Sequence, residues 1–183
     1  MIELIKTGNQ VTVKESFSVE GPTPYMDDHI TKVRVDPARS GFSFVVEGEK
    51  IKVDGASTKS ADGIHATYLT NERGKDVRLT EHLLSALSGM GVTAADIYLE
   101  GSNQVPVPDR TAQIFCREIK RVGIIETEEP LLSVKVVKDI YFTDNLGSSV
   151  VIRPSGTTKV SALVQFSNLF DDQYLKVELS PEN

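Results

Sequence analysis

The sequence predicts an α+β protein: a first domain in which two helices form a layer on a sheet, followed by a second, strand-rich unit. Three observations predict it. Short alternating apolar segments, punctuated by Gly and Pro, run from the start to Leu69. Two later segments repeat their apolar residues with helical period, and beyond the acidic stretch Glu126-Thr127-Glu128-Glu129-Pro130 the pattern returns to strands. A sheet and two helices suffice to close a two-layer core, so the first domain is expected to span residues 1–126.

In order, strands are expected at residues 11–13, 30–35, 42–46, 51–53 and 66–69. A helix is expected from about Glu81 to Met90. Thr80 is its N-cap, Leu83, Leu84, Leu87 and Met90 fall on one apolar stripe, and Gly91 ends it. A strand at 96–100 and a Pro-rich turn, Val105-Pro106-Val107-Pro108, lead to a second helix over 112–122. There Phe115, Ile119 and Val122 recur at i, i+4 and i+7, with Gly123 as the stop. Asp109 either caps this helix or shapes the turn before it, with Thr111 as the competing cap.

Pro130 closes the acidic stretch, which is the natural boundary, and the second unit is expected over residues 131–183. Its strands are expected at 132–137, 149–153, 159–166 and 174–179. Val160, Ala162, Val164 and Phe166 alternate with mostly polar neighbours, as do Leu175, Val177 and Leu179, which predicts one sheet with an apolar face. No amphipathic helix follows Leu179 to cover that face. A C-terminal segment, a partner chain or the first domain would have to do so, unless two sheets pack as a sandwich.

Bulk composition narrows the function classes. A net charge of −6 with interspersed Lys and Arg argues against a broad basic face for nucleic acid or an anionic membrane. The start, Met1-Ile2-Glu3-Leu4-Ile5-Lys6, has no apolar core behind a basic segment, and no apolar run approaches a membrane span, so a cytoplasmic protein is expected. Cys116 is the only cysteine, which excludes an intrachain disulfide and a thiolate zinc cluster. Its neighbours Ile114, Phe115 and Ile119 suggest a small buried thiol. Neither a Gly-rich phosphate loop with its Lys nor a Gly-x-Ser-x-Gly elbow occurs, which disfavours nucleotide kinases and serine hydrolases.

Chemistry concentrates at Glu81-His82, in the first turn of the first expected helix. The positive end of the helix dipole favours an ionised carboxylate and a neutral imidazole, the states of a general base and a metal ligand. The competing reading is structural, since acidic residues often occupy first turns simply to complement the dipole. His29, beside Asp27 and Asp28, reads as part of an Asp-rich turn before it reads as a metal site. His65 is either a ligand contact or an ordinary histidine at a strand end.

The run from Val77 through Arg78-Leu79-Thr80-Glu81-His82-Leu83-Leu84 to Gly91, then a strand and Val105-Pro106-Val107-Pro108-Asp109, resembles the UDP-3-O-acyl-N-acetylglucosamine deacetylases of lipid A synthesis. The likeness extends from the strand-rich start, through Thr67-Tyr68-Leu69-Thr70-Asn71, into the opening strands of the second unit. It implies two similar sheet-and-helix domains with a zinc site between them, and hydrolysis of the acetamide of a nucleotide sugar. By it, Glu81 matches the family's general base and His82 the zinc ligand of its first domain. The family's remaining ligands, a His and an Asp four residues apart, have no counterpart, because His29, His65 and His82 are followed at that distance by Val33, Leu69 and Ala86. The chain alone is therefore expected to be inactive, needing a C-terminal half or a partner chain.

Three departures stand out. Gly21-Pro22-Thr23-Pro24-Tyr25-Met26 replaces a Gly-rich turn carrying a His, Thr93-Ala94 replaces Asp-Asn, and Asp109-Arg110-Thr111 replaces Asp-Gly-Ser. They leave two alternatives open: a non-catalytic relative that binds protein through its sheet, or a deacetylase of another N-acetylated sugar.

Overall fold

A computed structural model describes residues 1–23, 26–59, 66–165 and 171–179, and only the backbone at 26–29. Along the chain run β1 (Ile2–Val13), β2 (Phe17–Thr23), β3 (Met26–Asp36), β4 (Phe42–Val46), β5 (Glu49–Lys52), β6 (Thr58–Lys59), β7 (Tyr68–Thr70), β8 (Asp76–Arg78), α1 (Glu81–Gly89), β9 (Ala95–Glu100), α2 (Gln113–Val122) and β10 (Ile124–Val136). There follow β11 (Ile140–Thr143), β12 (Ser149–Ile152), β13 (Lys159–Val164) and β14 (Gln173–Glu178). The class is α+β. Two compact units divide the chain, one of residues 8–131 and one of residues 1–7 with 132–183, so the division falls inside β1 and β10, which pair with each other.

In the larger unit a five-stranded sheet has the order β2-β3-β9-β4-β5, antiparallel except where β4 and β9 run parallel. Strand alternation sorts its faces. Phe17, Val19, Val33, Val35, Phe44 and Ile97 enter one core with Leu83 and Leu87 of α1 and Phe115 and Ile119 of α2. The other face is charged, with Lys32 beside Glu100, Arg34 beside Asp36, Lys50 beside Asp96, and the Arg34 guanidinium 4.5 Å above the Tyr98 ring. A second sheet, β6-β7-β8, buries Leu69 and Val77.

β2 lies outside the expected strands because Gly21-Pro22 reads as a turn. It is an edge strand, where a proline costs no ladder hydrogen bond. A side chain at Gly21 would come within 2.8 Å of Pro108 Cβ, so glycine here admits the Pro-rich turn, and the Val107 N–H donates to the Pro22 carbonyl at 3.3 Å.

Helix α1 ends as the glycine implies. Gly91, at φ 80°, donates to the Ser88 carbonyl and Val92 to that of Leu87, the two bonds of a Schellman motif. Its apolar stripe is shifted, however: Leu83, Ala86 and Leu87 are buried, while Leu84 and Met90 pack only partly on the core. At α2 neither candidate is a formal cap. Asp109 accepts the Thr111 N–H and Thr111 Oγ1 accepts the Gln113 N–H, both at 3.0 Å, while Ala112 holds the N-cap position. Burial pushes the Asp109 carboxyl up, but bonds from Thr111 and Ile114 outweigh it and hold the group below its ordinary value.

Arg110, between them, stands at φ 56°, the left-handed region that disfavours a side chain. Arg110→Gly is expected to raise the unfolding free energy by up to about 1 kcal/mol, the strain relief exceeding the entropy glycine adds to the unfolded chain. A denaturant titration with unchanged or lower midpoint would refute this.

The smaller unit departs from expectation. Strands β11 and β12 form one ribbon, β13 and β14 another, in place of a single four-stranded sheet, and residues 140–143 add a strand that the pattern did not suggest. Tyr141, Phe142, Val150, Leu163 and Leu175 are each more than half exposed. A two-stranded ribbon has no third strand or helix to bury either face, so alternation there does not produce a core. Phe166 lies outside the described residues. The acidic stretch Glu126 to Pro130, expected as the boundary, lies within β10. Among the described residues no helix is long and apolar enough to cross a membrane.

Candidate active site

Glu81 is the first residue of α1, and how the chain reaches it decides where its carboxylate goes. Leu79, 3% exposed, sits at φ 58°, an uncommon conformation for a bulky residue that turns the chain sharply between β8 and the helix. Thr80 follows with φ −77° and ψ −19°, already helical, and makes no capping bond. This corrects the expectation for Thr80. It is fully buried, and its hydroxyl is directed at the Thr67 carbonyl, 3.5 Å away, instead of at a helix amide.

Its neighbour binds the same residue more closely. Glu81 Oε2 accepts the Thr67 N–H at 2.9 Å, across 14 positions of sequence. A carboxylate held by a backbone donor has one oxygen and its orientation set by the main chain. His82 is next in the helix, half-buried, with its carbonyl accepting the Ser85 hydroxyl at 3.0 Å. The candidate base and the candidate ligand thus sit side by side.

Whether these residues fit a zinc ion can be judged from the donors. A catalytic zinc takes three protein ligands and keeps one position open. Among the described residues no three His, Cys, Asp or Glu side chains gather in this way, so Glu81 and His82 fit only part of such a site. His65 lies outside the described residues, as does the side chain of His29. Cys116 is partly exposed on α2 and packs against the core.

Sequence reading did not single out the group next to this site. Asp76 takes the Arg78 Nε–H at 2.7 Å and the Asn103 Nδ2–H at 2.9 Å, and the Arg78 guanidinium lies 4.6 Å over the Tyr68 ring. Burial pushes the Asp76 carboxyl up, yet the bonds from Arg78 and Asn103 leave it below its ordinary value. Burial raises the Tyr68 phenol. The one signal in the sequence was alternation in Asp76-Val77-Arg78, too short to stand out as a strand. A separate open cleft of about 620 Å³, lined by Lys52, Asp54, Ser57, Lys59, Thr70 and Arg73 among others, includes neither Glu81 nor His82. Thr93, one of the departures, helps hold the chain together, since its Oγ1 accepts the Val11 N–H at 2.8 Å.

Comparison with known proteins gives a consistent result. Residues 10–183 match the family model described as UDP-3-O-acyl N-acetylglycosamine deacetylase. The chain is similar to the bifunctional enzyme LpxC/FabZ of Bacteroides thetaiotaomicron, 28% identical over 92% of the chain and 37% of that protein. It is also similar to the UDP-3-O-acyl-N-acetylglucosamine deacetylases of Campylobacter fetus, 34% identical over 64% of the chain and 40% of that protein, and of Oleidesulfovibrio alaskensis, 26% identical over 95% and 57%. The chain thus spans roughly 37–57% of the length of these relatives.

Proposed function

The chain belongs to the UDP-3-O-acyl N-acetylglycosamine deacetylase family, and on that premise we propose that it is the N-terminal portion of a zinc-dependent amidase. Its substrate is a UDP-3-O-acyl-N-acetylglucosamine-like nucleotide sugar of lipid A biosynthesis, and its place of action the cytoplasm. The observation that carries this reading is the Glu81 carboxylate, tied to the Thr67 amide at 2.9 Å and adjacent to His82 at the start of a helix.

Zinc, when bound, polarises the acetamide carbonyl and makes water a better acid. Glu81, with Oε2 on the Thr67 amide, accepts the proton of the attacking water at Oε1 and returns it to the leaving nitrogen. The C–N bond breaks, a C–O bond forms, and acetate and an amino sugar result. His82 contributes one imidazole ligand. The remaining ligands come from a C-terminal half or partner chain, and residues 131–183 begin a second domain similar to the first, residues 1–126. In favour of a missing half stand the length of the relatives and the exposed apolar residues of β11 to β14.

Those exposed residues also favour a second reading, a non-catalytic relative whose ribbons bind another protein. Metal analysis separates the two. The purified chain is expected to take up zinc only together with a C-terminal half bearing the missing ligands, and to lose it in His82→Ala. Equal zinc in the variant would exclude His82 as a ligand. A stable complex with no zinc under any pairing would favour the second reading.

A further inference from the structure

Glu81 is placed by two routes, and both lead to one cluster. Its carboxylate rests on the amide of Thr67, the residue before Tyr68. Its backbone follows Arg78 by way of left-handed Leu79 and buried Thr80. Tyr68 and Arg78 are register partners across β7 and β8, and the guanidinium stacks on the ring. Arg78 is pinned by its main chain as well: its N–H donates to the Asn103 carbonyl at 2.9 Å, and its carbonyl accepts the Val105 N–H at 3.0 Å. Asp76 joins the parts by accepting from both Arg78 and Asn103.

We propose that Asp76, Arg78, Tyr68 and Asn103 form a positioning clamp that holds the Thr67 amide and the start of α1 in fixed relation, and so orients the Glu81 carboxylate. The inference rests on the reading of Glu81 as the base. These are positioning residues, acting through Thr67 and Leu79. The cluster sits beside the apolar core: the Arg78 and Asp76 side chains retain 35% and 20% of their exposure, whereas Val77 between them is fully buried. Val77 anchors the strand, and its charged neighbours remain to tie β7, β8 and the segment after β9 together. An aligned carboxylate matters because a misplacement of about 1 Å at a reacting group costs on the order of 100-fold in rate.

Amide hydrogen exchange on the 183-residue chain tests the geometry without metal or activity. Thr67 is expected to be protected, and Glu81→Ala to remove that protection. Arg78→Ala and Asp76→Asn are expected to lower it about tenfold, the scale of one charge-assisted bond, while the Met90 and Gly123 amides, bonded to Ala86 and Ile119 at the C-terminal ends of α1 and α2, keep theirs. Tyr68→Phe keeps the stacked ring but removes the hydroxyl that bonds Asp76, so it should lower Thr67 protection by less than Arg78→Ala does. If Arg78→Ala fails to fold, the near-isosteric Asp76→Asn carries the test. Unchanged Thr67 protection in the folded variants, or a loss shared equally by Met90 and Gly123, would overturn the clamp. In the chain completed by a C-terminal half, Arg78→Ala should lower kcat by about 10- to 100-fold with KM unchanged, and a raised KM at constant kcat would overturn the role. Selective loss at Thr67 supports the clamp even if no deacetylase activity is found, so the two readings fail separately.

Discussion

Glu81→Gln is expected to lower kcat of the completed enzyme by about 10²- to 10⁴-fold, the usual contribution of a positioned general base. KM and stability should change little. The reason lies in the geometry of this carboxylate: the amide oxygen of Gln still accepts the Thr67 N–H where Oε2 does at 2.9 Å, so the link to β7 survives while the basic oxygen is gone. Glu81→Ala removes both and should lose stability as well, because the Thr67 amide would then lack its partner. Steady-state kinetics with thermal unfolding of the two variants checks this. Full activity in Glu81→Gln would exclude Glu81 as the base and return it to a purely structural role.

Phe115→Ala is expected to reduce the unfolding free energy of the larger unit by about 3–5 kcal/mol. The ring is fully buried on α2, in the same core as Leu83 and Leu87 of the helix that carries Glu81. Its truncation loses apolar burial and leaves a cavity that close-packed neighbours fill only in part. Small domains have about 5–15 kcal/mol in total, so the loss is a large share. Phe142→Ala provides the contrast. That ring is 63% exposed on β11, and its removal should cost no more than a fraction of this. Urea unfolding followed by circular dichroism would show the difference, and equal effects would mean that the β11 ring is covered in solution.

Much of the frame was legible because it depends on short-range pattern. Phe115, Ile119 and Val122 became the buried stripe of α2, and Gly123 its stop at φ 75°. Gly91 closed α1 for the same reason: a left-handed residue after a helix is cheapest without a side chain. Thr80 misled, because preference for an N-cap is local whereas its burial is not. Once Leu79 turns the chain left-handed, the hydroxyl faces Thr67 and the capping geometry is absent. β2 was hidden by Gly21-Pro22, whose tolerance depends on its place at a sheet edge.

By itself, then, the sequence determined the α+β class, the two helices with their stops, and the adjacency of Glu81 and His82, since each follows from neighbours within a turn or two. Only tertiary structure decided that the Glu81 carboxylate meets the Thr67 amide, and that Asp76 gathers Arg78 and Asn103 from separate segments. It also decided that the strands after β10 pair as ribbons, with no buried apolar side chain among their described residues. Apart from the Asp76–Arg78 pair within β8, these contacts join residues distant in the chain, or need a surface to pack against. Local propensity contains no information about which distant donor or layer will be there to receive a given side chain.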